Sequence, residues 1–283
     1  MKFIITGSGG CVCTPKPLCQ CPVCTQARRL GYPYRRCGCS LYLEDIALLI
    51  DTPEDIAVAL NNADIRRVDN IMYSHWDPDH TMGMRIMEQL RLEWLDAYEG
   101  KRPQSPINVY AQPGVMDDVN AISSRFGSLM GYYEHMGLIR RGAVDSALRI
   151  GNVKVTLTSV PARKAVTVFT FESGGHKLVY APCDCMPFPS NSAAVRDADV
   201  LIMGNTFIGD TLKGGRQLPP DSPLRRELYS FDAARKLARE LGAQELILTH
   251  LEEDWGKSYD DYLALERQYT GLRFAYDGMT VEL

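Results

Sequence analysis

The chain has 283 residues, of which 45% are hydrophobic and 23% charged, and its formal net charge is -4. This composition is typical of a globular protein with a substantial core, and the acidic balance disfavours nucleic acid as the partner. No run approaches the roughly 18 apolar residues of a membrane span, and the first residues lack the apolar core and cleavage site of a signal peptide. We therefore expect a cytoplasmic protein that acts on a small molecule, without nucleic-acid or membrane partners.

The predicted elements alternate along the chain without a linker or an internal repeat. Strands are predicted at 2–9, 68–75, 106–112, 153–161 and 198–205, hairpins at 40–53 and 165–184, and helices at 79–100 and 114–137. A capped helix followed by a strand is predicted at 230–251, and a β-turn between two terminal strands at 276–279. Hairpin groups with interposed helices favour two packed sheets with helices outside, an α/β/β/α sandwich, over a strict βαβ repeat.

The densest group of potential ligands is the stretch SHWDPDHTMG, which begins at residue 74. It places His75, Asp77, Asp79 and His80 on one turn between a predicted strand and a predicted helix. Aspartates at the start of a helix often act as N-caps, which would explain one or both of them. Caps do not explain two histidines in a chain that has only five, so the stretch predicts a metal site.

Two further strand ends carry side chains of the same types. His250 ends the apolar run ELILTH, and Asp184 ends KLVYAPCD. Because strand ends converge at one rim of a sheet, both are predicted to join the metal site. His176 lies in a predicted turn and is expected to be solvated, and His135 lies near a helix end, where a cation is favoured without being a ligand.

The nine cysteines predict a second metal site. Seven of them lie between residues 11 and 39, and clustering of this kind favours metal binding over disulfides. The alternative is a loop of free thiols, which would be prone to oxidation. A zinc ion would help to fold this loop, and the run CQCPVC offers three thiolates that can converge on it: Cys19, Cys21 and Cys24.

Taken in their order along the chain, these motifs resemble those of the metallo-β-lactamase superfamily. The resemblance rests on SHWDPDHTMG, YAPCD and LILTH over nearly the whole chain. TGSGG, CQCPVCTQARR, YRRCGCS and YDGM resemble, more narrowly, the phosphoribosyl cyclic phosphodiesterases of the carbon–phosphorus lyase pathway. The resemblance implies a four-layered αββα fold with a metal-activated water and cyclic phosphodiester substrates. It also implies one domain over 1–283, with a cysteine-rich zinc loop at 11–39 and a helical insertion near 115–145.

The resemblance also implies which residues hold the metal ions. One site of the family is complete here, with the ligands Asp79, His80 and His250 and the bridging carboxylate Asp184. The other keeps His75, has Asp77 at a position where histidine is usual, and lacks the later histidine, because the corresponding loop reads VPARKAV. Three interpretations stay open: fewer protein ligands, Arg163 with its guanidinium in the cation's place, or Cys183 or Cys185 as a substitute ligand. We expect one firmly held ion and a weak or absent second.

The ligand set of the cysteine site also departs from the family. Its usual histidine, three positions after the final motif histidine, is replaced by Glu253. The fourth ligand of the structural zinc is therefore Glu253 or another thiolate, from Cys11, Cys13, Cys37 or Cys39.

The function predicted from these features is hydrolysis by a metal-activated water, with Zn, Mn or Fe in the active site. Asp77 or Asp79 is expected to steer the proton, and Arg163, Lys164 or Arg36 to bind a substrate anion, although a charged residue in a loop is more often simply solvated. A carboxylate-rich centre also suits iron, so a diiron-type oxygenase or redox enzyme is the alternative, with a non-catalytic metal-binding protein third. The oligomer that we consider is a homodimer whose interface is formed by a sheet edge or by the segment 115–145.

Overall fold

The computed structural model describes all residues from 1 to 283 and contains eighteen β-strands and ten α-helices. The strands in chain order are β1 (Lys2–Gly7), β2 (Ser40–Leu43), β3 (Leu48–Ile50), β4 (Asn70–Met72), β5 (Ile107–Ala111), β6 (Ser123–Ser124), β7 (Gly127–Ser128), β8 (Ile139–Ala143), β9 (Ala147–Ile150), β10 (Val153–Ser159), β11 (Thr167–Ser173), β12 (His176–Ala181), β13 (Val200–Met203), β14 (Thr206–Phe207), β15 (Tyr229–Ser230), β16 (Glu245–Leu248), β17 (Leu272–Phe274) and β18 (Met279–Glu282). The helices are α1 (Pro22–Leu30), α2 (Ile56–Asn62), α3 (Pro78–Thr81), α4 (Ile86–Arg91), α5 (Trp94–Tyr98), α6 (Pro113–Ala121), α7 (Leu129–His135), α8 (Leu224–Glu227), α9 (Phe231–Glu240) and α10 (Tyr259–Glu266).

Two seven-stranded sheets are built on the same plan. The first has the strand order β18-β1-β2-β3-β4-β5-β8 and the second β17-β16-β13-β12-β11-β10-β9. In the first sheet the pairs from β18 to β3 are antiparallel and those from β3 to β8 parallel. The second sheet repeats this pattern, antiparallel from β9 to β12 and parallel from β12 to β17. Parallel strands end at the same rim of a sheet, which collects the residues that follow them.

Three hydrophobic clusters separate four layers. The central cluster lies between the sheets and includes Phe3 and Phe171, whose rings meet edge to face at 5.4 Å. A second cluster packs α2, α4, α6 and α7 on the outer face of the first sheet, and a third packs α9 and α10 on the outer face of the second. This arrangement is the αββα sandwich, so the predicted fold class is confirmed. None of the helices is long and apolar enough to pass through a membrane.

Both long helices predicted in the middle of the chain are interrupted. The first is divided into α3, α4 and α5 by a turn at 82–85 and by Leu92 and Glu93, which are extended with ψ values of 110° and 105°. In the turn, Gly83 packs so closely that a Cβ atom there would lie 1.9 Å from the carbonyl oxygen of Pro53. The second contains the β6–β7 hairpin, where Gly127 has a φ of 115° and Ser128 caps α7. The segment 115–145 therefore holds a hairpin and β8 as well as helices, since tertiary contacts and turns override helical periodicity.

The YDGM turn links strands of different sheets, β17 and β18. Asp277 in this turn is buried and accepts hydrogen bonds from the backbone N–H groups of Ser8 at 2.9 Å and Cys37 at 2.6 Å. Arg36 is buried beside it and donates to Ser8 Oγ at 2.7 Å. Arg36 and the glycine turn are therefore structural, and Arg36 is not available to a substrate.

Candidate metal centre

The six ligands predicted from the strand ends meet where the two sheets share a rim. They are His75, Asp77, Asp79, His80, Asp184 and His250. The first four follow β4 of the first sheet, whereas Asp184 and His250 follow β12 and β16 of the second. Asp184 and His250 have φ values of 47° and 52°, a strained conformation that concentrates at functional sites.

One group of ligands consists of Asp79, His80 and His250. Asp79 Oδ2 lies 3.4 Å from His80 Nε2 and 3.3 Å from His250 Nε2, and these two nitrogens are 3.3 Å apart. Burial lowers the pKa of His80, but the carboxylates of Asp51 and Asp79 raise it well above its ordinary value overall. Three acceptor atoms this close need a proton or a cation between them, so the donor set fits a metal ion.

Asp51 orients the histidines and was missed by the sequence analysis. It is fully buried, and its Oδ2 lies 2.8 Å from His80 Nδ1 and accepts from Ser74 Oγ at 2.6 Å. Ser74 Oγ lies in turn 2.9 Å from His75 Nδ1. A carboxylate behind a ligating histidine sets its tautomer and basicity. The available signal was the position of Asp51 directly after β3, the neighbour of β4.

The second group consists of His75, Asp77 and Asp184, and it already contains a cation. His75 Nε2 is buried without a hydrogen-bond partner, but Lys164 Nζ hydrogen-bonds to both Asp77 and Asp184. Burial alone would raise the pKa of Asp77, yet His75 and Lys164 lower it to about 2. Arg163 is exposed and forms no ion pair with the centre. Of the open interpretations, a guanidinium of Arg163 in the cation's place is therefore wrong, and its neighbour Lys164 takes that place.

Cys183 lies between the two groups. Its thiol is buried within 4.8 Å of ring nitrogens of His75 and His80, and Asn205 donates to it at 3.4 Å. Burial would raise the pKa of Cys183, but the neighbouring histidines, His250 first, lower it to about 5. Cys185 packs instead in the outer hydrophobic cluster of the second sheet. Of the two cysteines suggested as substitute ligands, only Cys183 is placed for that role.

The predicted cysteine site is assembled around Glu253. Its Oε1 lies 3.6, 3.3 and 2.9 Å from the sulfurs of Cys19, Cys21 and Cys24. Lys213 Nζ lies beside this set, 3.0 Å from Cys19 Sγ, 2.5 Å from Glu253 Oε1 and 2.7 Å from Glu253 Oε2. Three thiolates and a carboxylate leave excess negative charge around Zn²⁺, which Lys213 offsets. These four donors fit a tetrahedral zinc, and none of the other cysteines belongs to the group.

A cavity of about 830 Å³ extends from the histidine–aspartate centre to the cysteine cluster. Asp184 and Glu252 border it on the side of the centre, and Glu252 Oε1 lies 3.2 Å from His250 Nδ1. The wall carries three cationic side chains, Lys16, Lys213 and Arg216, and four acidic ones, Asp184, Glu227, Glu252 and Asp254. Cavities of this size are typical of small-molecule sites.

The chain belongs to the metallo-β-lactamase superfamily, because the family model described as "Beta-lactamase superfamily domain" matches residues 47–251. A curated relative, ribonuclease Z of Myxococcus xanthus strain DK1622, is 34% identical over 131 residues. The match covers 46% of this chain and 40% of that protein, so the chain spans less than half of the relative's length.

Solved structures share the fold over the whole chain. A diphosphatase of the PhnP family has a TM-score of 0.72 at 19% identity, covering 100% of this chain and 96% of that one. Zn²⁺-bound PqqB from Methylobacterium extorquens has a TM-score of 0.74 at 19% identity and covers both chains completely. The short form of human tRNase Z has a TM-score of 0.63 at 16% identity, covering 100% and 99%. At these identities the likeness is one of fold.

Proposed function

We propose that the protein is a metal-dependent hydrolase of a small phosphodiester, with cyclic phosphodiesters as the substrate class. The observation that carries the proposal is the convergence of Asp79, His80 and His250 beside a cavity of small-molecule size whose wall includes Lys16 and Arg216. The names of two similar proteins, a ribonuclease and a diphosphatase, denote hydrolysis of phosphate linkages and support this class.

The catalytic ion is assigned to Asp79, His80 and His250, with Cys183 as a further candidate ligand. A divalent ion bound there supplies an acidified water molecule near neutral pH. Asp51 holds His80 so that Nε2 faces the ion, since Nδ1 is engaged by the carboxylate. The same arrangement serves zinc, manganese or iron, and we favour zinc because Cys183 adds a soft ligand.

Both predicted proton acceptors are held as carboxylates. Despite burial, His250 and His80 lower the pKa of Asp79 well below its ordinary value. The ion pairs of Asp77 lower its pKa to about 2, so the pKa values do not favour Asp79 as the base. The assignment to Asp79 rests on its position: its Oδ2 faces both imidazoles of the proposed ion site, which leaves Oδ1 to take the proton of the attacking water. Asp77 is paired with Lys164 and has an electrostatic role in this proposal.

The substrate anion is assigned to Lys16 and Arg216 in the cavity wall. Arg163 does not line this cavity, so its role in binding the substrate anion remains a prediction from the sequence alone. We expect Arg216→Ala to raise KM for a phosphodiester about tenfold with little change in kcat, since it removes one charge-assisted contact. An unchanged KM would remove Arg216 from the site, and Arg163→Ala is judged by the same measurement.

The test is a substrate panel with the metal-loaded protein. It comprises bis(p-nitrophenyl) phosphate, a ribose cyclic phosphodiester and a tRNA precursor, each assayed also with Asp79→Asn and with the exposed control His176→Ala. We expect turnover of the small diesters, lost in Asp79→Asn and retained in His176→Ala. Cleavage of the tRNA precursor alone would replace the small substrate by RNA. Oxygen consumption by an iron-loaded protein without diester turnover would favour the redox alternative.

A further inference from the structure

We propose that Lys164 is a built-in cation that replaces the second metal ion of the centre. The protein then binds one catalytic ion, at Asp79, His80 and His250, and uses an ammonium group beside Asp77 and Asp184. The catalytic consequence of this inference rests on the proposed hydrolase function, whereas the metal stoichiometry stands by itself.

The first argument is the position of the ammonium group. The carboxylates of Asp77 and Asp184 belong to one ligand group with His75, and both bond to the same Nζ atom of Lys164. The two carboxylates come from different sheets, after β4 and β12. An ordinary surface ion pair joins two exposed side chains, but here the lysine side chain is 28% exposed and bridges the two sheets at the centre.

The second argument is the way the chain holds Lys164. It lies in the loop between β10 and β11, whose base is closed by the Val160 N–H, which donates to Val166 O at 2.9 Å. One residue further, the Thr167 N–H donates to the carbonyl of Ser74 at 2.9 Å, directly before His75. The loop is therefore tied to the motif itself, so Lys164 is delivered to the centre by the backbone.

The third argument is competition for the same oxygen atoms. A second ion would need the carboxylates of Asp77 and Asp184, because His75 and Cys183 are the only other donors beside that position. To bind there it would have to displace Lys164 and leave two cations close together without the carboxylates between them. An ammonium on a covalent tether is present at every moment, so it excludes the ion at ordinary metal concentrations.

The ammonium group can do part of the work of a second metal. It has three N–H groups, of which two are used by Asp77 and Asp184 and the third remains for a phosphoryl oxygen. Asp184 borders the cavity, so this position is within reach of a bound anion. A lysine can stabilise developing negative charge but does not generate a hydroxide, so water activation belongs to the other group.

The test is the zinc content of reconstituted protein after removal of loosely bound ions, measured for wild type, Lys164→Met and Lys164→Arg. Arg163→Ala is the matched control, since it removes a neighbouring positive charge outside the centre. We expect Lys164→Met to hold one more zinc ion per chain than wild type, and the other two variants to equal wild type. Equal zinc in wild type and Lys164→Met, with circular dichroism showing a folded variant, would overturn the inference. If Lys164→Met fails to fold, Lys164→Ala or Lys164→His replaces it under the same criterion.

Kinetics separate this inference from the proposed function. With saturating bis(p-nitrophenyl) phosphate we expect Lys164→Met to lose about 100-fold in kcat, and Lys164→Arg to regain part of it, as for the loss of one charged oxyanion donor. No turnover by any form would reject the hydrolase proposal, and the zinc counts would still decide the role of Lys164. A gain of zinc with full activity would reject the ammonium's catalytic role.

Discussion

The cysteine cluster and the histidine–aspartate centre each hold a lysine against a carboxylate, but the two lysines leave different donors for a metal ion. In the cysteine cluster, Lys213 bonds to both oxygens of Glu253 and to Cys19 Sγ, and the sulfurs of Cys21 and Cys24 receive no hydrogen bond from it. In the centre, Lys164 lies between the two carboxylates that a second ion would require. The comparison teaches that the donors a lysine leaves free decide whether a metal ion can still bind beside it.

The two sites also differ in how they close. The cysteine cluster offers four donors, which is the number that a structural zinc takes. Asp79, His80 and His250 are three donors, so a four-coordinate ion held by them would keep one position for water, and His250 contacts Glu252 in the cavity wall. A closed site contributes to folding, whereas an open one can do chemistry, so single substitutions should separate the two.

The largest effect is expected from His80→Ala, which removes the central imidazole of the open site. Phosphodiester turnover should fall about a thousandfold or more, because a metal ion contributes several kcal/mol of transition-state stabilisation. The chain should lose one metal ion and keep the ion of the cysteine cluster, as element-resolved analysis would show. Loss of both ions would mean that the two sites are not independent.

A smaller effect, on stability, is expected from Cys24→Ser in the closed site. Cys24 is buried at the start of α1, and its sulfur lies 2.9 Å from Glu253. Loss of the cluster zinc should lower the free energy of unfolding by at least about 3 kcal/mol, since structural zinc contributes directly to folding. Urea unfolding measures this, with Cys13→Ser as the control outside the cluster. A chelator should destabilise wild type more than Cys24→Ser, which still binds the ion of the open site, and equal chelator sensitivity would contradict the structural role.

The third effect is expected from Asp51→Asn, which changes the carboxylate that contacts Nδ1 of the ligand His80. An amide cannot replace the charge that orients His80, so metal affinity of the open site should fall about 10–100-fold. Competition with a chromophoric chelator measures this affinity. Asp199→Asn, at a surface site beside His176, is the control. An unchanged affinity would show that the His80 tautomer is set by other groups.

The smallest effect is expected from Lys213→Met, which removes the ammonium group beside Cys19 and Glu253. In the metal-free protein the hydrogen bond from Lys213 lowers the pKa of Cys19 to about 7, so about half of this thiol is reactive thiolate at pH 7. Without the ammonium group the midpoint of alkylation should rise toward 9.0, and alkylation at pH 7 should slow. Mass spectrometry of the Cys19 peptide against pH measures the midpoint, with Lys16→Met as the control. A midpoint that stays at pH 7 would assign the effect to the backbone instead.

The sequence analysis predicted the residues whose role can be recognised from the neighbouring sequence. It missed those whose role depends on which strands lie side by side. His75, Asp79, His80 and His250 could be predicted because neither strand formation nor helix capping requires a histidine at the end of a strand. Asp51 looks like any aspartate in a turn until β3 is known to lie beside β4. Two predicted helices were wrong in their continuity for the same reason.

Lys164 and its neighbour Arg163 show the same limit of sequence analysis for two adjacent residues. Both positions carry a cation in the same loop, and only the folded structure shows that Lys164 reaches the centre whereas Arg163 is exposed. Burial decides the case of Arg36, which could not be distinguished from a surface arginine by its sequence context. The candidate site could therefore be predicted at the level of ligands but not of their supporting charges.

The open site has a consequence for the order of folding, because its donors come from both sheets. His80 and His250 lie 170 residues apart in the chain and meet only when the sheets pack together. Except for β18, which comes from the C-terminal end and pairs with β1, each half can pair its own strands first. The cost of closing so long a loop is met only by contacts between the two sheets. The centre therefore gains its affinity for the ion late in folding. The time at which metal becomes bound during refolding would show when the two sheets pack together.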